Sequence, residues 1–321
     1  MDIGKSIGLE YGLPIRNAFG EALQEIGEEN PNLVVLDGDV GNSTRTNYFR
    51  DEYPERFFNV GIAESNLIGT ASGLAAAGKD VLAASFACFL LCNAYDQIRM
   101  SIAFPQENVK LVGSHSGISI GEDGPSQMGI EDVALASSLP NFAVVAPADE
   151  PSMRAATRAI FEHQGPVYLR SGRPEVPIIY DGGEVDFELG KANQVRDGDD
   201  VTIIAYGLMV AAALEAAAEL QRDGIEARVL DMHTIKPLDH QAIARAAQET
   251  GAIVTAEEHL LNGGLGSEVA RSVAGHHPVP MAFVGIENTY AESGEPQELL
   301  ARYGLMPSDI KEAVNRALTR K

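Results

Sequence analysis

Cysteine is nearly absent from this sequence: Cys88 and Cys92 are the only two in 321 residues. Two thiols four positions apart, with no Cys/His cluster around them, do not make a metal site, and none is expected. They read instead as buried, small apolar side chains suited to a reducing compartment. Basic residues are also scarce, with 24 Lys and Arg against 46 Asp and Glu and a formal net charge of −22. That balance excludes the basic face that a nucleic-acid backbone or an anionic membrane would require. It also means that an anionic substrate needs a local basic pocket to overcome the overall field. No uncharged apolar run reaches the roughly 20 residues of a membrane span. The N-terminus, Met-Asp-Ile-Gly-Lys-Ser-Ile-Gly, lacks the basic start and apolar core of a secretory signal, so a cytoplasmic protein is expected.

What remains is ample material for a folded core. Hydrophobic residues make up 45% of the chain and charged residues 22%, an ordinary globular balance. Short apolar runs such as Leu33-Val-Val-Leu36, Val81-Leu-Ala-Ala84, Val109-Lys-Leu-Val112, Ala143-Val-Val-Ala146 and Val167-Tyr-Leu169 alternate with helix-like stretches. One helix is expected over 14–27, an Ala/Gly-rich one over 64–77, and another running on from Val81-Leu-Ala-Ala84 through Arg99. This rhythm predicts an α/β fold with mainly parallel sheets covered on both faces. Pro174, Pro177, Gly182 and Gly183 interrupt it. The linker is placed near 174–198, with a first domain over 1–185 and a smaller second domain over 186–321. The last helix is expected to start at Pro307, capped by Ser308 or Asp309.

Ligands of open parallel sheets gather at the carboxyl ends of the strands. Asp39, Glu64, Phe86 and His115 all fall just beyond predicted strands. His115 opens a Gly-rich loop from Gly113 to Gln127, Gly-Ser-His-Ser-Gly-Ile-Ser-Ile-Gly-Glu-Asp-Gly-Pro-Ser-Gln, which also holds Asp123. Taken singly, each has an ordinary structural reading: acids at strand ends cap helices, and two Phe residues in an apolar stretch are core. Gly263-Gly-Leu-Gly266 reads as a tight strand-to-helix passage, and His259 as structural.

A resemblance sets a second reading beside each of these. The stretches Leu36-Asp-Gly-Asp-Val-Gly-Asn-Ser43, Ile62-Ala-Glu64, Ser85-Phe-Ala-Cys-Phe89, Asp96-Gln-Ile-Arg99, the loop 113–127, Arg170-Ser-Gly-Arg-Pro-Glu175, Thr234-Ile-Lys-Pro-Leu-Asp239 and Glu257-Glu-His259 carry a resemblance. Over residues 16–304 the chain is similar to the second and third domains of transketolases, above all the animal type. The resemblance implies a pyrimidine-binding fold followed by a transketolase C-terminal-type domain, and thiamine diphosphate as cofactor. It implies that Glu64 activates the cofactor by bonding N1′ of its aminopyrimidine, burial raising the carboxyl pKa. Phe86 and Phe89 would wall the pyrimidine ring, and Asp39 would be an acid near the thiazolium. Arg16, Ser43 and Arg173 match positions that hold a sugar phosphate, His115 a catalytic histidine nearby, and Asp123 an acid that reads a substrate hydroxyl. Gln127 stands where other relatives have histidine, and an amide cannot titrate. Leu260 and Leu261 replace an aromatic pair of the animal type.

Enzymes of this kind hold the diphosphate and a divalent ion through Gly-Asp-Gly followed about 30 residues later by Asn, the ion needing several oxygen ligands. No Gly-Asp-Gly occurs here; Asp37-Gly-Asp39 and Asp197-Gly-Asp199 have the wrong order. The expectation is therefore a split transketolase. This chain would be the C-terminal subunit, and an N-terminal, diphosphate-binding partner would bring Mg2+ or Ca2+ and complete an α2β2 assembly acting on sugar phosphates. The alternatives are a deoxyxylulose-phosphate synthase-like subunit, a 2-oxo-acid dehydrogenase β subunit, or a non-catalytic regulatory chain.

Overall fold

The apolar runs do form the strands, and their burial shows why they lack alternation. In Leu33–Asp37 all five residues are buried, as they are when both faces of a parallel sheet are covered by helices. A computed structural model describes residues 1–182 and 185–321; Gly183, one of the markers of the break, lies outside the described residues. The first sheet has seven strands in the order Thr234–Lys236, Ala143–Val145, Val167–Arg170, Val109–Ser114, Asp80–Phe86, Leu33–Asp37, Phe57–Asn59. All neighbours run parallel except the first pair. The second sheet follows the order Met281–Ile286, Ile253–Leu260, Val201–Ala205, Ala227–Asp231, Asn193–Arg196, only the last strand being antiparallel. The register sets Phe86 beside Ser114 at the carboxyl ends of their strands, which brings the residue after Ser114, His115, to the same level.

Three ties join the halves of the chain. Thr234–Lys236 leaves the second half to extend the edge of the first sheet, a strand that the short, partly polar segment does not announce. The expected linker contains structure of its own: Glu175–Pro177 pairs antiparallel with Tyr11–Pro14, and Asn193–Arg196 edges the second sheet. The N-terminus lies on the second half, with Ile3 buried and the Gly4 N–H and Ser6 hydroxyl donating to Glu215 at 2.6 and 2.5 Å.

Several expectations are corrected. The helix expected through Arg99 is broken into two wide π-helical segments, Phe89–Asn93 and Ile98–Ala103, flanking a short α turn, Tyr95–Gln97. Leu90, Leu91, Ala94, Ile98 and Ile102 stay in the core, and the wider turns turn Phe89 and Asn93 towards other partners. The cysteines are not buried as expected: Cys92 is exposed and Cys88 half-buried, while their neighbours Leu90, Leu91 and Ala94 take the core positions. The first long helix begins at Ile15 and runs to Glu29, beyond the expected end. At the last helix, Pro307–Leu318, the cap position falls to Met306, and Asp309 reaches back to accept its N–H at 2.8 Å.

Candidate active site

Glu64 is the first residue of the helix Glu64–Ala76 and is 3% exposed. Both oxygens are held: Ser85 Oγ donates to Oε1 at 3.1 Å and Asn93 Nδ2 to Oε2 at 3.2 Å. Gly38 approaches so closely that a Cβ there would lie 3.1 Å from Ser85 Oγ. Next to Ser85, Phe86 ends its strand and stacks on Phe89, with centroids 5.6 Å apart and planes 8° from parallel. Phe86 is nearly buried whereas Phe89 is half-exposed. A fixed acid beside an aromatic pair with one open ring fits an aminopyrimidine, which needs one acceptor at its edge and a flat apolar wall.

On its other contact Phe86 stacks on His115, centroids 3.9 Å apart. His115 is buried in a left-handed conformation, φ 60°, with Nδ1 2.7 Å from Ser114 Oγ. Burial, and then the charges of Arg16, Arg173 and Arg45, push its pKa down to about 3. The imidazole is therefore neutral at any ordinary pH. Burial and the neighbouring Arg45 and Arg173 lower Arg16 to about 10. Arg16 donates to the Ser43 carbonyl at 3.1 Å, yet its buried Nε has no acceptor among the described residues. Arg173 donates to the Ile120 carbonyl at 2.6 Å, to Glu122 at 3.4 Å, and lies 3.8 Å from Asp123. In a chain of net charge −22, three half-buried guanidiniums around a neutral imidazole make a site for an anion.

The structure thus brings Arg16, Ser43, Phe86, Phe89, His115, Asp123 and Arg173 into one connected region, with Glu64 joined to it through Ser85. Arg45 belongs there and was not found by sequence reasoning. It follows Ser43 by two positions and is turned by a left-handed backbone, φ 68°, so that its Nε donates to Asn17 at 2.6 Å. Its sole sequence signal is its place just after the matched stretch ending at Ser43. Two expected residues have no hydrogen bond to this group among the described residues. Asp39 is exposed and accepts from Asn59 at 2.7 Å. Its neighbour Asp37 is the buried acid, raised in pKa by burial while holding Val40 N–H, Thr44 and Thr46. Gln127 bonds Ser126 Oγ at 3.4 Å, and its carbonyl accepts from Cys88.

Among the described residues, no group of three or more His, Cys, Asp or Glu is placed to hold a metal ion. The glycine turn after Ile253–Leu260 could have received an anion at the start of the helix Leu265–His276. It is filled by the chain's own Glu257, whose oxygens accept the Leu265 and Gly266 N–H groups at 2.8 Å each. A Cβ on Gly264 would lie 2.1 Å from this carboxylate.

Two family models match the chain: transketolase, pyrimidine-binding domain, over residues 12–178, and transketolase, C-terminal domain, over 190–310. A Methanocaldococcus jannaschii protein named as a transketolase C-terminal section is 43% identical over 302 residues, 94% of this chain and 95% of that protein. The 6-deoxy-6-sulfo-D-fructose transketolase subunit SqwH of Clostridium sp. is 41% identical over 308 residues, 96% of this chain and 95% of that subunit. A solved split-gene transketolase, described as an inactive β4 tetramer, superposes with a TM-score of 0.91 at 46% identity, over 97% of this chain and 100% of that chain.

Proposed function

The chain belongs to the transketolase family and carries its pyrimidine-binding and C-terminal domains, and from that premise we propose that it is the C-terminal subunit of a two-chain, cytoplasmic transketolase. We divide it functionally at 185/186. The enzyme would move a two-carbon ketol unit from a ketose phosphate to an aldose phosphate. The family implies thiamine diphosphate, which when bound supplies the nucleophilic carbon and electron sink for that transfer. The diphosphate and a Mg2+ or Ca2+ ion belong, in this reading, to an N-terminal partner chain in an α2β2 assembly.

Each residue then has a task. The Glu64 carboxylate, oriented by Ser85 and Asn93, holds a proton at the pyrimidine N1′. Phe86 and Phe89 exclude water from the ring. Arg16, Arg45 and Arg173 bind the anionic end of the sugar, with Ser43 beside them. Neutral His115 offers a hydrogen bond at the reacting carbons without adding charge, and Asp123 accepts from a sugar hydroxyl. Asp39 and Gln127 line the outer part of the site. One observation carries the reading: the Ser85–Phe86 strand end links the held acid, the aromatic pair and His115 through direct contacts, and the guanidinium cluster lies beside His115.

The cluster also fits a sulfonate, the terminus carried by the substrate named for the Clostridium relative. Mixing the chain with a partner bearing Gly-Asp-Gly and comparing phosphorylated, sulfonated and uncharged ketose donors sorts these. Arg173→Ala is expected to raise KM for the anionic donor at least about tenfold, the worth of a charge-assisted contact, and to leave the uncharged donor nearly unchanged. Equal loss for both donors would remove the anion-binding role.

A further inference from the structure

The densest set of buried charges outside the candidate site lies where the two halves meet. Glu257, Glu258 and His259 end the strand Ile253–Leu260 and are all buried. Glu257 caps a helix of its own half. Glu258 does something different: its Oε1 accepts the N–H of Ser119, in the Gly-rich loop, at 2.5 Å across 139 positions of sequence. Its backbone carbonyl accepts from Arg170 at 2.9 Å, and Arg170 in turn pairs with Asp132 at 2.8 Å.

The loop is shaped to receive this carboxylate. Gly117 has φ +82°, and a Cβ there would lie 2.3 Å from Glu258 Oε1. Farther along, a Cβ on Gly121 would sit 3.1 Å from the Gly294 carbonyl, and one on Gly124 only 2.4 Å from Ser293 Oγ. Three of the loop's glycines therefore abut the second half of the chain. The loop is held by the buried side chains of Ile118 and Ile120 and by turns, not by regular secondary structure. No helix or strand lies within 115–131, and its neck is closed by the Gly117 N–H to Gly129 carbonyl bond at 2.7 Å. The residue after Ser119 is Ile120, whose carbonyl receives the Arg173 guanidinium at 2.6 Å.

We propose that Glu258 is a positioning residue: its carboxylate fixes the register of the Gly-rich loop and, through Ile120, the aim of the Arg173 guanidinium. The substrate part of this inference rests on the proposed role of Arg173; the loop part does not. A buried carboxylate is well suited to the task because an unmade bond would leave the Ser119 N–H without its partner.

The test is hydrogen exchange on the full-length chain, which needs neither partner nor turnover. Glu258→Ala is expected to speed exchange of amides within 117–127 by about tenfold or more, the weight of a hydrogen bond to a charged group, while strand 80–86 keeps its protection. Glu258→Gln, which retains one acceptor oxygen, is expected to fall between. Glu257→Ala, a control of equal burial one residue away, should loosen 264–268 and leave the loop alone. In the reconstituted enzyme Glu258→Ala should raise KM for an anionic donor more than it lowers kcat. Unchanged loop exchange overturns the proposal, as does equal loosening of the loop by Glu257→Ala. If Glu258→Ala does not fold, the Gln variant carries the same comparison. A loosened loop in a chain whose wild type, with its partner, transfers no ketol unit confirms the positioning by Glu258 and sinks the proposed function instead.

Discussion

His115 sits between an aromatic ring and three positive charges, and its chemistry follows from that company. Burial and the guanidiniums bring its pKa to about 3, so in the free chain its ring resonances should not titrate between pH 5 and 8. Saturating inorganic phosphate should raise that pKa by offsetting the guanidinium field. An NMR titration checks both, and a midpoint near 6.5 without phosphate would contradict the site's electrostatics. Arg45→Ala is expected to weaken an anionic donor about as much as Arg173→Ala, by roughly tenfold in KM, with kcat read separately. Arg16 and Arg173 were legible because recognisable neighbours surround them. Arg45 was not, because its approach depends on a left-handed backbone and a bond to Asn17, neither written in residue spacing. Asp39 illustrates the reverse: its neighbour two positions back, Asp37, takes the buried place.

At the scale of elements, runs of buried aliphatic residues made the central strands easy to read. The strand Thr234–Lys236 and the π-helical turns after Phe86 were not, since the first is three residues of edge strand and the second depends on where Phe89 and Asn93 must point. The linker hides a further feature. Tyr180 donates to the buried Asp231 at 2.7 Å, and the other Asp231 oxygen has no partner among the described residues. Burial raises the Asp231 pKa from 3.8 to about 7. The folded chain then keeps a proton that the unfolded chain has released. Stability must therefore decline as pH rises from about 4 to about 7, by about 1.4 kcal/mol for each unit by which the two pKa values differ. Asp231→Asn, which supplies an acceptor for Tyr180 and carries no charge, should flatten this part of the Tm–pH curve between pH 4 and 7. Parallel curves for the two proteins would contradict it.

For the whole molecule, charge and exposed apolar surface pull in opposite directions. Ile62, two residues before Glu64, is 83% exposed and Phe58 43% exposed, apolar surface of the kind that partner chains cover. Ile62→Glu is expected to weaken association with the partner about tenfold or more without lowering the Tm of the isolated chain, as sedimentation and thermal melting would show. A fall in Tm with unchanged association would assign Ile62 to the fold instead. The lack of Gly-Asp-Gly was plain in the sequence. The bond from Glu258 to Ser119 was not, because it joins positions 139 residues apart and nothing in either segment names the other.

The central claim is that a carboxylate from this chain works on a cofactor whose diphosphate is held by another. The most direct measurement is the ketol-transfer rate of the chain mixed with its diphosphate-binding partner, thiamine diphosphate and Mg2+, for wild type and Glu64→Ala. Transfer is expected only from the mixture, with a loss on the order of a hundredfold or more in the variant, the usual weight of a positioned proton-transfer group. Wild-type rates from the Glu64→Ala mixture would contradict the claim.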